Sequence, residues 1–104
     1  MITAYLLLGS NVGRREHYLG QARQEIESWH RTKMARASSL WETAPEGYLK
    51  QRRFFNQAVE IKTELSAMAV LFWAKKSEIV IGRRRRFFQG PREIDIDLLL
   101  YGRQ

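Results

Sequence analysis

The segment GPREIDIDLLLYG, residues 90–102, constrains the fold more than any other part of the sequence. Apolar residues alternate there with Asp95 and Asp97, and this two-residue period is typical of a β-strand. Side chains at positions i and i+2 of a strand point to the same side, so the two carboxylates share one face, with Cα atoms roughly 6.5–7 Å apart. Neighbouring like charges repel each other and cost stability. The segment therefore predicts a strand with an acidic face, which either meets a cation or is simply an outer face that happens to be acidic.

Hydrophobic periodicity predicts five further elements before this strand. Ser66 is a candidate N-cap of the second helix and Gly82 a candidate end of it. The predicted strands are 2–9, 33–42, 54–65 and 93–101, and the predicted helices are 14–30 and 67–81.

Each predicted helix has an apolar face that would cover the sheet. In the first helix, these residues are Tyr18, Leu19, Ala22, Ile26 and Trp29. In the second helix, we expect Met68, Leu71, Phe72 and Ile79 to face the core.

The resulting order, β-α-β-β-α-β, predicts an α+β fold of the ferredoxin-like kind, an antiparallel sheet with two helices packed on one face. In this topology the last strand lies antiparallel beside the first. Asp95 is then expected near the end of the first strand, at Gly9–Asn11. A chain of 104 residues is long enough for one core, so residues 1–104 are interpreted as a single domain.

Composition excludes several classes of protein. The sequence has no cysteine, so neither a disulfide scaffold nor thiolate metal chemistry is available. It has no apolar run near the roughly 18 residues of a membrane span, and no basic segment precedes its first apolar run. We therefore expect a cytosolic protein that does not enter the membrane. The net charge of +7 favours an anionic partner, and much of the positive charge lies in GRRRRFFQGPR, residues 82–92.

The acidic strand and the basic segment before it suggest a polyphosphate site. Mg²⁺ prefers hard oxygen ligands and commonly takes one or two carboxylates together with phosphate oxygens. Asp95 and Asp97 are therefore candidate ligands, and their spacing would let two ions share one polyphosphate chain. The arginines at 83–86 and Arg92 would clamp the phosphates. Histidine is a poor candidate ligand, since both histidines fall in the first helix.

Another interpretation of the arginines stays open. The arginines with Phe87 and Phe88 would also suit a basic module that binds nucleic acid without catalysis. Such binding should survive EDTA and weaken steeply with salt, whereas a metal-dependent phosphate clamp should not survive EDTA.

In the middle of the chain, Asn56 lies among aromatic residues, where its amide could bind the edge of a planar heterocycle while a phenylalanine stacks on it.

Three segments, AYLLLGSN, TAPEGY followed by FFNQAVEIKTEL, and GPREIDIDLLLYG, occur in this order over almost the whole chain. Together they resemble 6-hydroxymethyl-7,8-dihydropterin pyrophosphokinases. The resemblance implies a ferredoxin-like fold and transfer of pyrophosphate from ATP to the pterin hydroxymethyl group in folate biosynthesis. It also implies two Mg²⁺ ions, with ATP and hydroxymethyl-dihydropterin rather than nucleic acid as partners.

The resemblance also implies roles for individual residues. Asp95 and Asp97 match the Mg²⁺ ligands, and the catalytic role falls to Arg83 and Arg92. The residues implied in nucleotide binding are Lys75, Glu78, Arg85 and Arg92, and those implied in pterin binding are Thr43, Pro45, Phe54 and Asn56.

The sequence departs from the family pattern in three places. Lys75 stands where many members carry glutamine, and Gln89 replaces the usual tryptophan in a loop about one residue short. Members usually continue for several tens of residues beyond the position of Gln104, with further nucleotide and pterin contacts. We therefore expect weak transfer by the chain alone and a tendency to form a homodimer.

Overall fold

The computed structural model describes residues 1–103 and confirms an α+β architecture with two helices on one face of an antiparallel sheet. Its strands are β1 (Ile2–Ser10), β2 (Thr32–Ala37), β3 (Trp41–Thr43), β4 (Phe54–Thr63) and β5 (Asp95–Tyr101). Its helices are α1 (Arg15–Ser28) and α2 (Ala67–Ile81).

The sheet brings the acidic strand to the end of the first strand, as predicted. The strand order is β2-β4-β1-β5, and each pair of neighbours is antiparallel. The short strand β3 extends the sheet by pairing with the beginning of β4. Asp95 lies opposite Gly9, and Asp97 lies opposite Leu7. Gly9 and Leu7 alternate along β1 with the residues that face the core, so both carboxylates lie on the face of the sheet opposite the core.

The core lies between the helices and the inward face of the sheet. Alternate residues of β1, namely Ala4, Leu6 and Leu8, have no exposed surface. The predicted inward stripe of α1 is confirmed, since its apolar residues are buried or packed against the core. The opposite face of the sheet carries no helix in residues 1–103 and is the face on which Asp95 and Asp97 lie.

The prediction of one strand over 33–42 is wrong, because the chain forms β2 and β3 instead. Ser38 ends the pairing of β2. Its backbone N–H donates to the carbonyl of Ala58 (2.8 Å), but its side-chain Oγ, rather than its carbonyl, accepts from the backbone N–H of Ala58 (3.0 Å). The Ser38 carbonyl instead accepts from Nε2 of Gln57 (2.7 Å). A serine side chain that takes over a backbone acceptor interrupts the ladder.

The other predicted bounds agree with the observed ones to within two residues, a difference that is usual at the ends of elements. Both predicted ends of α2 are confirmed. The Oγ of Ser66 accepts from the backbone N–H of Ala69 (3.1 Å), and Gly82 follows the helix with a left-handed φ of 114°. Within the described residues, neither helix combines the length and the apolar run needed to cross a bilayer.

The prediction of which face of α2 points inward is wrong. The residues predicted to face the core are exposed, by 75% at Met68 and 74% at Ile79. The buried face is instead made of Val70, Ala74, Ser77 and Glu78. Small residues on this face let α2 approach α1, and Nε1 of Trp29 donates to Oγ of Ser77 (3.0 Å). Periodicity failed here because α2 is apolar on both faces.

Two isoleucines provide a matched test of this corrected orientation. Ile26→Ala removes a fully buried side chain of α1 and should cost about 2–5 kcal/mol of folding stability. Ile79→Ala removes an exposed side chain of α2 and should change stability by no more than about 0.5 kcal/mol. Urea denaturation of both variants measures the difference, and equal destabilisation would contradict the orientation described.

Candidate functional site

A glycine at the end of β1 creates the space around the acidic pair. Gly9 pairs with Asn56 on one side and with Asp95 on the other, so these three residues form one row across the sheet. A Cβ atom at position 9 would lie 3.3 Å from Oδ1 of Asn56. Glycine therefore leaves the row open, and polar side chains from the two flanking strands border the same space.

The two aspartates differ in how their charges are compensated. Asp95 accepts from Arg83 through Oδ1 (3.0 Å) and from Arg92 through Oδ2 (3.3 Å). Asp97 has a weaker partner, since Nζ of Lys75 lies 3.7 Å from its Oδ1. Partial burial, reinforced by the negative charge of Asp95, raises the pKa of Asp97 to about 6. The arrangement thus retains an electrostatic penalty that an additional cation at Asp97 would relieve.

Glu78 connects α2 to the acidic strand and is almost fully buried. Its Oε2 accepts from the backbone N–H of Ile96 (2.7 Å), and its Oε1 accepts from Arg83 (2.8 Å). Nζ of Lys75 also donates to its Oε2, at 3.3 Å. Glu78 therefore fixes Arg83 between two carboxylates, its own and that of Asp95. Direct contact between Glu78 and a nucleotide stays a prediction.

Two cavities share Arg92 in their walls, and residues 82–92, which we call the arginine loop, border the larger of these two. This cavity has a volume of about 530 Å³ and lies between the end of α2 and the loop. Its lining includes all five residues predicted to act on the nucleotide or in catalysis, namely Lys75, Glu78, Arg83, Arg85 and Arg92.

The smaller cavity has a volume of about 310 Å³ and lies over the open face of the sheet. Asp95 and Asp97 line it together with Thr43, Phe54 and Asn56 from the predicted pterin segments. Pro45 is absent from its lining, although Ala44 and Glu46 on either side of it contribute.

Arg92 lines both cavities and is held in place by contacts on several sides. Its guanidinium carbon lies 4.6 Å from the ring centre of Phe54, in a cation–π contact. Its Nε donates to the carbonyl of Gly90 (3.1 Å), and NH1 donates to Asp95. A single arginine therefore lies between the basic cavity and the cavity on the sheet.

The role of Asn11 was not predicted from the sequence, which placed this residue only at the end of the first strand. Asn11 is buried, and its Nδ2 donates to Oε1 of Gln51 (2.8 Å) and to the carbonyl of Arg52 (3.0 Å). Its Oδ1 accepts from the backbone N–H of Arg92 (2.8 Å). Gln51 in turn donates to the carbonyl of Gln89 (2.8 Å). Asn11 thus joins the segment before β4 to the arginine loop, which an asparagine at a strand end does not reveal by itself.

Glu93 is a second residue that the sequence did not single out. It is buried and follows Arg92 directly in the chain, and hydrogen bonds from Arg86 lower the pKa of its carboxyl to about 2. The carboxylate is therefore ionised at neutral pH, and it bonds to Arg84 and Arg86 of the arginine loop.

The acidic pair has the chemistry of a magnesium site that a ligand completes. Within residues 1–103, no group of three or more histidine, cysteine or acidic side chains is arranged to hold a metal. Asp95 and Asp97 alone would not saturate Mg²⁺, but this ion commonly takes one or two carboxylates and fills its other positions with water and phosphate oxygens. The residues present therefore fit Mg²⁺ bound with a polyphosphate.

The raised pKa of Asp97 predicts a gain in stability when its charge is removed. When the pKa of a carboxyl is higher in the folded state than in the unfolded state, the folded protein loses stability as pH rises from about 4 to about 6. Asp97→Asn should therefore raise the thermal midpoint at pH 7.5 in EDTA, and this gain should shrink at pH 4.5. Asp95→Asn is the matched control, because it breaks two ion pairs and should not stabilise the chain. A lower midpoint for Asp97→Asn at pH 7.5 would contradict the account of the site.

Comparison with known proteins identifies the family of the chain. Residues 5–104 match the family model described as 7,8-dihydro-6-hydroxymethylpterin-pyrophosphokinase. Proteins named 2-amino-4-hydroxy-6-hydroxymethyldihydropteridine pyrophosphokinase are similar to the chain, with 43% identity in Bacillus subtilis and 42% in Aquifex aeolicus, each over 97% of this chain. The chain spans 60% and 62% of the length of these two relatives. Because the family model covers nearly all of its residues, the chain belongs to the 7,8-dihydro-6-hydroxymethylpterin-pyrophosphokinase family.

Proposed function

We propose that this chain carries the catalytic core for transfer of pyrophosphate from ATP to 6-hydroxymethyl-7,8-dihydropterin. The observation that carries the proposal is that Arg92 lines both cavities, while the acidic pair beside it lines the smaller one. A triphosphate in the basic cavity and a heterocycle in the smaller one would place the reacting groups on either side of Arg92. The names of the relatives supply the substrate class.

The larger cavity supplies the positive charge that a triphosphate needs. Arg83, Arg85 and Arg92 line it, and guanidinium groups bind phosphate oxygens through paired hydrogen bonds. Lys75 adds a further cation at the wall formed by α2. In the proposed complex, Glu78 keeps Arg83 oriented while the arginine binds the nucleotide.

Asp95 and Asp97 would hold Mg²⁺, two ions in the full arrangement that the family resemblance implies. The metal would neutralise triphosphate charge while the β-phosphorus is attacked. Arg83 and Arg92 now compensate the charge of Asp95, so these arginines would leave the carboxylate and turn to phosphate oxygens when the metal–nucleotide complex arrives.

The smaller cavity offers an edge and a face for the pterin. Nδ2 of Asn56 already donates to Oγ1 of Thr43 (2.8 Å), so Oδ1 is the amide atom left to accept from an amino group of the ring. The aromatic ring of Phe54 lines the same cavity and offers apolar surface to a planar ligand. Thr43 thus orients Asn56 in the proposed complex, whereas the role of Pro45 rests on the family resemblance alone.

The proposed reaction is in-line attack of the pterin hydroxyl oxygen on the β-phosphorus of ATP. A new oxygen–phosphorus bond forms, the bond between the β-phosphorus and the α–β bridging oxygen breaks, AMP leaves with that oxygen, and the hydroxyl proton is released to water. Arg83 and Arg92 would stabilise the charge that develops on the transferred group. Positioning of the two substrates and this electrostatic stabilisation carry the catalysis.

The proposal extends to location and assembly. A reaction that consumes ATP suits the cytosol. Homodimer formation also stays a prediction, and light scattering on the purified chain would test it.

Calorimetry with α,β-methylene-ATP tests the proposal directly, because this analogue replaces the bond that breaks. We expect binding in Mg²⁺, loss of binding in EDTA, and tighter binding of the pterin once the nucleotide is bound. Asp97→Ala should abolish the nucleotide binding and leave the fold intact. Binding of an oligonucleotide that persists in EDTA, without binding of the nucleotide analogue, would instead favour a nucleic-acid module.

The ion pairs of Arg83 predict effects of opposite sign in one variant. Arg83→Gln frees one oxygen of Asp95, so affinity for Mn²⁺ without nucleotide should rise severalfold. The same change removes a charge-assisted bond to phosphate, so affinity for the magnesium–nucleotide complex should fall by about tenfold or more. Lys33→Gln, with the same change in net charge on the exposed strand β2, should do neither. If both affinities of Arg83→Gln fall together, Arg83 does not compete with the metal for Asp95.

A further inference from the structure

Glu93 joins the two arms of the arginine loop, which are residues 83–86 before the turn and residues 91–92 after it. Its carboxylate accepts from NH1 and NH2 of Arg86 at 2.7 and 2.8 Å, and its Oε1 also accepts from the backbone N–H of Arg84 (3.1 Å). NH1 of Arg86 donates as well to the carbonyl of Pro91 (3.2 Å). All these contacts link residues 84–86 to residues 91–93. They close the neck of the loop and leave 87–90 as a turn, with the N–H of Gly90 bonded to the carbonyl of Phe87 (3.0 Å).

The closed neck sets the distance between arginines on opposite arms. Arg83 and Arg85 flank the point at which the backbone of Arg84 is held, while Arg92 directly precedes Glu93. The arm that carries Arg92 is fixed to the sheet, because Asn11 bonds to both the N–H and the carbonyl of Arg92. Because Glu93 bonds to Arg84 and Arg86, the fixed position of Arg92 determines where the opposite arm lies.

We propose that the Glu93–Arg86 pair is a positioning device that holds the arginine loop in the shape that binds a polyphosphate. This inference rests on the proposed function, in which Arg83, Arg85 and Arg92 bind the triphosphate. A paired, two-bond contact between guanidinium and carboxylate fixes orientation as well as distance. A loop held in its bound shape avoids the ordering cost that a mobile loop would incur on binding.

The place of the pair in the fold separates positioning from plain stabilisation. Glu93 and Arg86 are seven positions apart, and both lie outside the helices and strands. Neither belongs to the apolar core. Arg86 lines the larger cavity, but Glu93 lines neither of the two cavities described above, so Glu93→Gln is the variant that changes no residue of their walls. Loss of the pair should therefore loosen the loop while the sheet and helices keep their contacts. If only about a tenth of the molecules then retain the binding shape, affinity falls by about tenfold.

Two variants and one control test the proposal. Glu93→Gln keeps the shape of the side chain and removes its charge, and Arg86→Lys keeps the charge but loses the paired geometry. Glu64→Gln is the matched control, since it breaks the exposed Arg31–Glu64 pair far from the loop in sequence. Three quantities are measured for each: the affinity for Mg·α,β-methylene-ATP by calorimetry, the hydrogen exchange of the Arg84 amide, and the thermal midpoint.

We expect Glu93→Gln to weaken nucleotide binding about tenfold and to speed exchange of the Arg84 amide, at a temperature where the chain is fully folded. Arg86→Lys should have a smaller effect in the same direction, which keeps the test decisive even if Glu93→Gln folds poorly. Glu64→Gln should change neither quantity. Unchanged affinity in both loop variants, with only a lower thermal midpoint, would show a purely structural pair. Failure of the unmodified chain to bind the analogue would instead contradict the proposed function, and the exchange of the Arg84 amide would still report whether Glu93 holds the loop.

Discussion

Repulsion between Asp95 and Asp97 is the constraint on which the edge of the sheet depends. Antiparallel pairing of β5 with β1 puts both carboxylates on one face, where partial burial, together with the negative charge of Asp95, raises the pKa of Asp97 to about 6. The surrounding cations compensate this charge unequally, with two arginines on Asp95 and a distant lysine on Asp97. A site that remains under electrostatic strain is suited to a ligand that brings its own cation, as a magnesium–polyphosphate complex does.

The strands β1, β4 and β5 and the acidic face were predictable because each depends on a local apolar pattern. The inward face of α2 was not, since both of its faces are apolar and only packing against α1 and β5 selects the buried one. The break at Ser38 was missed for a similar reason: a side-chain acceptor in place of a backbone one leaves no trace in the hydrophobic pattern. Local patterns thus identify elements, while the choice between equally apolar faces depends on tertiary packing.

The candidate site shows the same division. The acidic pair and the arginine run were evident as charge patterns, and the family resemblance added Thr43 and Asn56, which the structure brings together at 2.8 Å. Asn11 and Glu93 escaped notice because their partners are distant in sequence or lie within a run of arginines. Their hydrogen bonds determine where the arginines lie, so the positioning of the charge was less visible in the sequence than the charge itself.

The departures from the family pattern also have a structural meaning. Lys75, where many members carry glutamine, donates to Glu78 and approaches Asp97, so it adds a positive charge beside the less compensated carboxylate. Gln89, where tryptophan is usual, has a positive φ of 55°, and its carbonyl accepts from Gln51. The first difference changes the electrostatics of the acidic pair, and the second ties the loop to the segment before β4.

Paramagnetic broadening of backbone amide signals by Mn²⁺ would locate the metal, because the effect falls steeply with distance from it. We expect Mn²⁺ with α,β-methylene-ATP to broaden the amides of residues 95–97 first. Gly9, which pairs with Asp95 across the sheet, should follow, while amides of α1 should stay sharp. Broadening centred on another part of the chain, or none at Asp95 and Asp97, would contradict the assignment of this acidic pair as the metal–nucleotide site.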